Sequence, residues 1–169
     1  LAGEELGLSI GARHISLSTS GLCDKIRKLK EFGLGITLSV SLHAADDETR
    51  TALMPVNRSC GVAELVKTAT EYQKATGRRV SYEYALISGV NDRPVDTERL
   101  ISLLRGTGSH LNLIRLNKIK ESLFVPPSEN KVREFAAALE RGGLNVTLRR
   151  RLGADIEGAC GQLRQKEMK

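Results

Sequence analysis

The chain has 169 residues, is 40% hydrophobic and carries a formal net charge of +6, from 26 Lys and Arg against 20 Asp and Glu. This length fits one domain or a large piece of one, and it lacks both an apolar run of the about 18 residues that span a membrane and a signal-peptide pattern. The charge permits an RNA or phosphate partner, but with no Trp and 4% aromatics base stacking is not its main mode of contact.

Strand-like and helix-like segments alternate along the chain. The pattern predicts strands at 13–19, 35–44, 78–88, 110–117 and 144–151, and helices at 23–33, 46–54, 61–77, 96–106 and 128–143. Strands with nearly continuous apolar runs, separated by helices, indicate parallel pairing and an α/β fold. The carboxyl ends of parallel strands then share one edge, where ligands bind in such folds.

Small or polar residues follow these strands at the predicted edge. They are Ser18 to Gly21, Ser41 to His43, the loop 87–92 and Asn117. Ser18 and Ser20 fit ligand binding, but they fit turn and helix-capping chemistry at least as well. His43 fits a base, a ligand contact or a structural group, and Asn117 fits a ligand contact or a turn. We interpret His14 and His110 as structural and Asn91-Asp92 as a turn.

The three cysteines, Cys23, Cys60 and Cys160, are odd in number and far apart in sequence. Without a CxxC or a Cys/His cluster, a zinc site is not expected, and the pattern suits a reducing cytoplasm. Each cysteine alone is first interpreted as an inert buried thiol. Cys160 differs, because glycines flank its loop and the arginines of 149–151 precede it. Those arginines fit either a solvated strand end or contacts to an RNA backbone.

Six strings carry a family resemblance: "ISLSTSG", "LSVSLHAADDETR", "LMPVNR", "YEYALISGVND", "LNLIRLN" and "NVTLRRRLGADIEGACGQLR". In this order and spacing the chain resembles the RlmN/Cfr family of radical S-adenosylmethionine RNA methyltransferases over essentially all of its length. The resemblance implies a partial (β/α) barrel of the radical-enzyme type, with a mostly parallel sheet.

The resemblance also implies the chemistry and the site. Members of the family methylate an adenine ring carbon, which is too electron-poor to attack a methyl sulfonium, through a methylated cysteine and a radical that a [4Fe–4S] cluster generates from S-adenosylmethionine. Matched to the family's motifs, Cys160 carries the methyl group, and the cofactor contacts are Ser18, Ser41, Leu42, His43 and Asn117. The implied partners are 23S rRNA, with tRNA as a further substrate, and an electron donor for the cluster.

Four family features are missing from this sequence. They are the CxxxCxxC motif that holds the cluster, the Gly-Glu strand after it, the second cysteine that resolves the covalent adduct and an acidic catalytic residue near the N-terminus. We therefore expect a C-terminal portion of such an enzyme, inactive alone, with residues 1–150 in the barrel and 151–169 as a tail that holds the methyl-carrier loop. The main alternative is a catalytically inactive RNA-binding module derived from such an enzyme. A third reading is a different barrel enzyme that uses His43 as a base.

Overall fold

A computed structural model of the chain describes residues 11–116 and 124–149. Five strands form one sheet in the order β1-β2-β3-β4-β5, and every neighbouring pair is parallel. The strands are β1 Ser16–Thr19, β2 Thr37–Ser41, β3 Val80–Leu86, β4 His110–Arg115 and β5 Asn145–Leu148. The α/β fold and the parallel pairing predicted from the sequence are therefore confirmed.

The helices lie in the connections that the sequence predicted. They are α1 Cys23–Glu31, α2 Asp47–Leu53, α3 Val62–Thr76, α4 Pro94–Leu104 and α5 Glu129–Arg141, and a 3₁₀ turn, Pro55–Arg58, joins α2 to α3. Ser128 caps α5, since its side chain accepts a hydrogen bond from Lys131 N. The predicted start of α4 was wrong: Pro94 opens this helix, because the Asp96 carboxylate accepts a hydrogen bond from the Arg93 N–H at 2.9 Å.

The central strands alternate strictly between buried and half-buried residues. In β3 the pattern starts buried at Val80 and ends buried at Leu86, and in β2 the buried residues are Leu38 and Val40. Because successive side chains point to opposite faces of a strand, these central strands have one covered face and one open face. The buried positions join one core cluster with residues of the helices, which places the helices on that covered face.

Helix α3 contributes most of one side of this core. Its apolar positions Val62, Leu65, Val66, Ala69 and Tyr72 are all buried, as the helical spacing predicted. The helix ends at Gly77, whose φ of 66° is the left-handed conformation that glycine adopts without strain. Within the described ranges, no helix has the length and apolar character needed to cross a membrane.

Candidate functional site

The open side of the sheet is lined by polar side chains and is called the polar face below. Its central members are Ser18, Ser39, Ser41, Ser81, Glu83 and Asn112. Strand register decides this grouping, since paired residues of neighbouring strands point to the same side: Ser18 pairs with Ser39, and Ser39 pairs with Ser81. Ser18 and Ser41, both predicted from the sequence as ligand contacts, therefore share one face.

Ser41, Glu83 and Asn112 form one row across the polar face. Ser41 pairs with Glu83, and Glu83 pairs with Asn112, on strands about 4.8 Å apart. Asn112 Nδ2 donates a hydrogen bond to Glu83 Oε2 at 2.8 Å, which fixes the carboxylate. Within the part of the chain that the structure describes, Glu83 has no ion-pair partner. The row therefore places the negative charge of Glu83 beside Ser41. The sequence analysis did not identify Glu83 as a candidate site residue.

Leu42 and His43 continue β2 past its last strand residue, and their backbones are anchored to β3. The N–H groups of Leu42 and His43 both donate to Glu83 O, at 3.0 and 3.3 Å. The Leu42 side chain is fully buried in the core. Its carbonyl also accepts a hydrogen bond from Arg50 Nε at 3.0 Å. Leu42 thus fixes the path of the chain at this edge through groups that are already paired.

The surroundings of the His43 ring favour its neutral form. Its Nδ1 accepts a hydrogen bond from Ala85 N at 3.0 Å, which requires the neutral ring with the proton on Nε2. Burial, and secondarily the positive charge of Arg50, lower the pKa of His43 below its ordinary value of 6.5. His43 also has a φ of 58°, uncommon outside glycine. With Nδ1 occupied, the ring offers a donor at Nε2, which does not favour its use as a general base.

Arg50, in α2, is the central organising residue of this edge, and sequence reasoning missed it. Its side chain has no solvent exposure. The guanidinium donates to Ser20 O at 2.8 Å and to Ser41 O at 3.0 Å, so one group ties the ends of β1 and β2 together. The arginine stands in the quoted string "LSVSLHAADDETR", but an arginine in a short acid-rich helix is normally exposed, so no sequence signal indicated its burial.

A second layer of hydrogen bonds positions Arg50. Its Nη1 donates to Asn57 Oδ1 at 2.9 Å, and Asn57 Nδ2 donates to Asp47 Oδ1 at 2.9 Å. Asp47 Oδ1 also accepts from Val62 N, the first residue of α3, at 2.7 Å. These bonds, the one from Val62 foremost, lower the pKa of Asp47. The chain of contacts links the strand ends to the start of α3.

Asn91 shows that the predicted turn at Asn91-Asp92 has a larger role. Its Nδ2 donates to His43 O and to Ala85 O, both at 2.7 Å, and its Oδ1 accepts from Ile87 N at 2.7 Å. Asn91 is fully buried, so these bonds satisfy its amide in place of water. The predicted turn is confirmed at Asn91, and the side chain of Asn91 in addition joins the ends of β2 and β3.

The carboxyl ends of β1, β2 and β3, with the residues that follow them, are called the exit edge below. The other two histidines lie away from it. His110, at the start of β4, lies within hydrogen-bond distance of Ser81 Oγ through Nδ1 and of Thr147 Oγ1 through Nε2, at 3.3 and 2.8 Å. His14 is exposed and accepts a hydrogen bond from Arg13 Nε at 3.1 Å. Both arrangements agree with the structural role that we inferred.

Several predicted residues lie outside the described residues: Asn117, Cys160, Arg150 and Arg151. Arg149 is described and exposed, and its N–H donates to Leu113 O at 2.9 Å. Within residues 11–116 and 124–149, no group of three or more His, Cys, Asp or Glu side chains could hold a metal ion. The roles predicted for Cys160 and Asn117 stay predictions.

Cys23 and Cys60 lie together, although 37 residues separate them in sequence, and the structure joins them in a disulfide. Cys23 opens α1, and Cys60 lies between the 3₁₀ turn and α3. The interpretation of each as an unpaired, inert thiol was therefore wrong. Their spacing gave no signal, because the contact depends on α1 packing against α3.

Known proteins similar to this chain share both its sequence and its fold. No family model matches the chain. A protein of Pelotomaculum thermopropionicum named as a probable dual-specificity RNA methyltransferase RlmN is 51% identical over 161 residues, 95% of this chain and 44% of that protein. One of Clostridium tetani with the same name is 45% identical over 100% of this chain and 48% of its own length.

A solved structure gives the same result. The crystal structure of a radical SAM methyltransferase from Sphaerobacter thermophilus superposes with a TM-score of 0.89 at 43% identity, covering 95% of this chain and 47% of that one. Over nearly its whole length, the chain therefore matches about half of proteins named RlmN and about half of a radical SAM methyltransferase of solved structure. It spans about half the length of the RlmN relatives that it matches.

A more distant structure supports the fold alone. A domain of pyruvate-formate lyase-activating enzyme from Bacteroides vulgatus superposes with a TM-score of 0.63 at 16% identity over 80% of both chains. The five parallel strands form the partial barrel that the resemblance implied, a fold shared with the radical SAM methyltransferase of Sphaerobacter thermophilus, and the polar face lies on the side of the sheet opposite the helices.

Proposed function

We propose that this chain is part of an RNA methyltransferase that modifies an adenine ring carbon, carbon 2, of 23S rRNA, with tRNA as a further substrate. The observation that carries the proposal is the polar face and its exit edge, within a chain 45–51% identical to proteins named RlmN. The cytoplasmic location expected from cysteine usage stays a prediction, because two of the three cysteines are bonded to each other.

The polar face fits S-adenosylmethionine, which presents hydroxyl and ammonium donors and a positively charged sulfur. Ser18 and Ser41 offer hydroxyls on this face, and the Glu83 carboxylate offers an acceptor of opposite charge. When bound beside a [4Fe–4S] cluster, this cofactor supplies the methyl group and the radical chemistry. The cluster ligands expected from the family are not matched in this sequence, and we propose that they belong to a part of the protein preceding this chain.

We propose separate roles for the residues of the edge. Ser18 and Ser41 contact the cofactor through their hydroxyls, and His43 donates from Nε2 because Nδ1 is already an acceptor. Leu42 contributes by shaping the edge, since its N–H, carbonyl and side chain are already engaged. Asn117 would complete the cofactor contacts, Cys160 would carry the methyl group, and Arg149 would contact the RNA backbone.

The contribution of Glu83 can be measured by binding. In the longest reading frame that contains this chain, we expect Glu83→Gln to weaken binding of S-adenosylmethionine at least about tenfold, since the negative charge near a cation is lost. Binding of S-adenosylhomocysteine, with a neutral sulfur, should weaken less if the carboxylate acts on the sulfonium. Glu140→Gln, an exposed position on α5, is the matched control. Equal affinities of Glu83→Gln and the parent for both ligands would contradict this role.

The reaction itself is tested with the same protein, reconstituted with iron and sulfide without oxygen and given a chemical reductant. Unmodified 23S rRNA and S-adenosylmethionine with a deuterated methyl group are supplied, and digested nucleosides are separated by mass spectrometry. We expect labelled 2-methyladenosine from the parent and from Lys74→Ala, an exposed control on α3, and none from Cys160→Ala. A labelled 8-methyladenosine product would instead move the target to carbon 8.

The alternative, an RNA-binding module without chemistry, predicts a different result. The protein would retard rRNA fragments on a gel with strong salt dependence, and it would give no labelled nucleoside under any reducing condition. Product that survives Cys160→Ala would contradict the methyl-carrier role while leaving a methyltransferase in place.

A further inference from the structure

The disulfide between Cys23 and Cys60 lies directly behind the exit edge. The two Cα atoms are 6.1 Å apart, inside the range of about 4.4–6.8 Å that disulfides require. Both side chains are buried, with 5% and 6% of their surface exposed, and both belong to the core cluster. The pair is therefore placed by the packing of α1 against α3 and does not depend on a surface encounter.

The cysteines flank the same two segments that Arg50 joins. Ser20, whose carbonyl accepts from Arg50 Nη2, stands three residues before Cys23. Asn57, whose Oδ1 accepts from Arg50 Nη1, stands three residues before Cys60. Two separate links thus hold the loop after β1 against the connection from α2 to α3. One is the disulfide between Cys23 and Cys60, and the other is the set of hydrogen bonds made by the Arg50 guanidinium.

The loop after β1 fits tightly between these two links. Gly21 has a φ of +100°, and a Cβ added there would lie 2.9 Å from Arg50 Nη2 and 2.8 Å from Leu65 Cδ2. Such contacts leave no room for a side chain. Any loosening of the junction between Cys23 and Cys60 would therefore change the position of the loop that follows Ser18.

We propose that Cys23 and Cys60 form a redox modification site, and that the disulfide of its oxidised form holds the segments of the exit edge together. Two thiols react with one low-molecular-weight disulfide: each protein sulfur loses its proton, the Cys23–Cys60 bond forms, and the two electrons and two protons leave in two molecules of the small thiol. Exchange passes through local opening of the segment around Cys60, since both sulfurs are buried in the closed state. The proposal does not rest on the methyltransferase function.

Two consequences follow from this placement. The bond closes a loop of 37 residues, so the oxidised chain should unfold at a higher temperature than the reduced chain. Because the bond and Arg50 act on the same junction, the oxidised chain should also tolerate a weakened guanidinium network. In the reduced chain, the hydrogen bonds of Arg50 still hold the loop after β1, but the covalent link beside them is absent.

Peptide mapping tests the pairing. The 169-residue chain is equilibrated with oxidised glutathione, alkylated and digested with trypsin without reduction, which releases Cys23 in peptide 14–25, Cys60 in 59–67 and Cys160 in 152–164. We expect 14–25 linked to 59–67 and a free or glutathione-capped 152–164. Dithiothreitol should release the linked pair. A link from either peptide to 152–164, or two unlinked peptides, would overturn the proposal.

Thermal unfolding then tests whether the disulfide stabilises the fold. Oxidation should raise Tm by at least about 5 °C in the parent and in Cys160→Ser, and by nothing measurable in Cys23→Ser or Cys60→Ser. If the serine variants are too unstable to unfold cooperatively, the parent compared with and without dithiothreitol gives the same answer. An equal Tm for the oxidised and reduced forms of the parent would contradict a stabilising role of the disulfide.

Hydrogen exchange followed by mass spectrometry tests the location. In Arg50→Lys, amides of the segment 20–23 should exchange at least about tenfold more slowly in the oxidised form than in the reduced form, while α5, Glu129–Arg141, should be unaffected. Equal exchange of the segment in both forms would show that the bond does not hold the edge and would overturn the proposal.

Discussion

The two faces of the sheet are built on different physical terms, although the same strands supply both. On the covered face Leu38, Val40 and Tyr82 have no exposed surface and pack against helices. On the polar face Ser39, Ser41 and Glu83 alternate with them and stay half-buried. Removal of apolar area from water stabilises the first face, whereas the second keeps polar groups available to a ligand. Because side chains alternate along each strand, one set of residues in this sheet stabilises the fold and the other set is available to bind a ligand.

The exit edge is where this separation breaks down. Here the covered side contains a buried arginine and a buried asparagine, Arg50 and Asn91, and their hydrogen bonds fix the ends of β1, β2 and β3. Buried polar groups of this kind are costly unless they are fully paired. The geometry of the candidate site therefore depends on residues whose loss should also cost stability.

The largest effect should come from Arg50→Ala. Its loss removes the guanidinium donor from Leu42 O, Ser41 O and Ser20 O, of which Leu42 O keeps the hydrogen bond from Ala44 N, so we expect about 4 kcal/mol or more of unfolding free energy to be lost. Chemical denaturation by urea measures it. The control is Arg58→Ala, an exposed position, where about 0.5 kcal/mol or less is expected. Similar losses of unfolding free energy in both variants would show that Arg50 does not organise this edge.

Neighbouring residues of β2 compare the two faces most directly. Leu38→Ala removes a fully buried side chain and should cost about 2–5 kcal/mol. Ser39→Ala, one residue along on the polar face, should cost about 0.5 kcal/mol or less. Urea unfolding of the two variants gives both values. A large cost at Ser39 would mean that the polar face is itself part of the stabilising core.

Asn91→Ala should have an intermediate effect of about 2–3 kcal/mol. It removes the donor to His43 O and to Ala85 O and the acceptor of Ile87 N, groups that stay partly shielded from water. The comparison variant is Asn130→Ala, an exposed position in the first turn of α5. Thermal unfolding that is equal for the two variants would show that Asn91 is only a turn residue, as the sequence suggested.

The smallest effect is the pH dependence linked to His43. Its pKa is lowered in the folded chain, so below the ordinary value of 6.5 the unfolded chain takes up a proton that the folded chain does not. Stability from this group is complete above pH 6.5 and is lost as the pH falls toward the folded pKa, by at most about 1.4 kcal/mol per pH unit.

Urea unfolding of the parent and His43→Gln at pH 7.5, 6.5 and 5.5 measures that term. The variant should lose less stability on acidification than the parent does. Burial also lowers the pKa of His110, so part of the pH dependence should persist in His43→Gln and fall further in the double variant with His110→Gln. An unchanged pH dependence in His43→Gln would mean that the ring is not shielded as the structure has it.

Local pattern was sufficient for the fold and for the placement of two candidate residues on one face of the sheet. Apolar periodicity predicted every strand and α-helix of the described ranges, with errors of a few residues at their ends, and it missed the 3₁₀ turns Ala12–His14 and Pro55–Arg58. Polar residues at strand ends predicted that Ser18 and Ser41 would share an edge, because parallel strands bring their carboxyl ends together. The strings around them were specific enough to indicate the resemblance to RlmN proteins that sequence identity then confirmed.

The residues that hold the edge together needed the tertiary structure. Arg50 meets Ser20 across 30 positions, Asn91 meets His43 across 48, and Cys23 meets Cys60 across 37. Periodicity and spacing describe what a residue does within its own helix or strand, so they assign Arg50 to an exposed helix, Asn91 to a turn and each cysteine to an isolated site. Only the packing of helices on a common sheet decides which distant polar groups become buried together, and therefore which must pair.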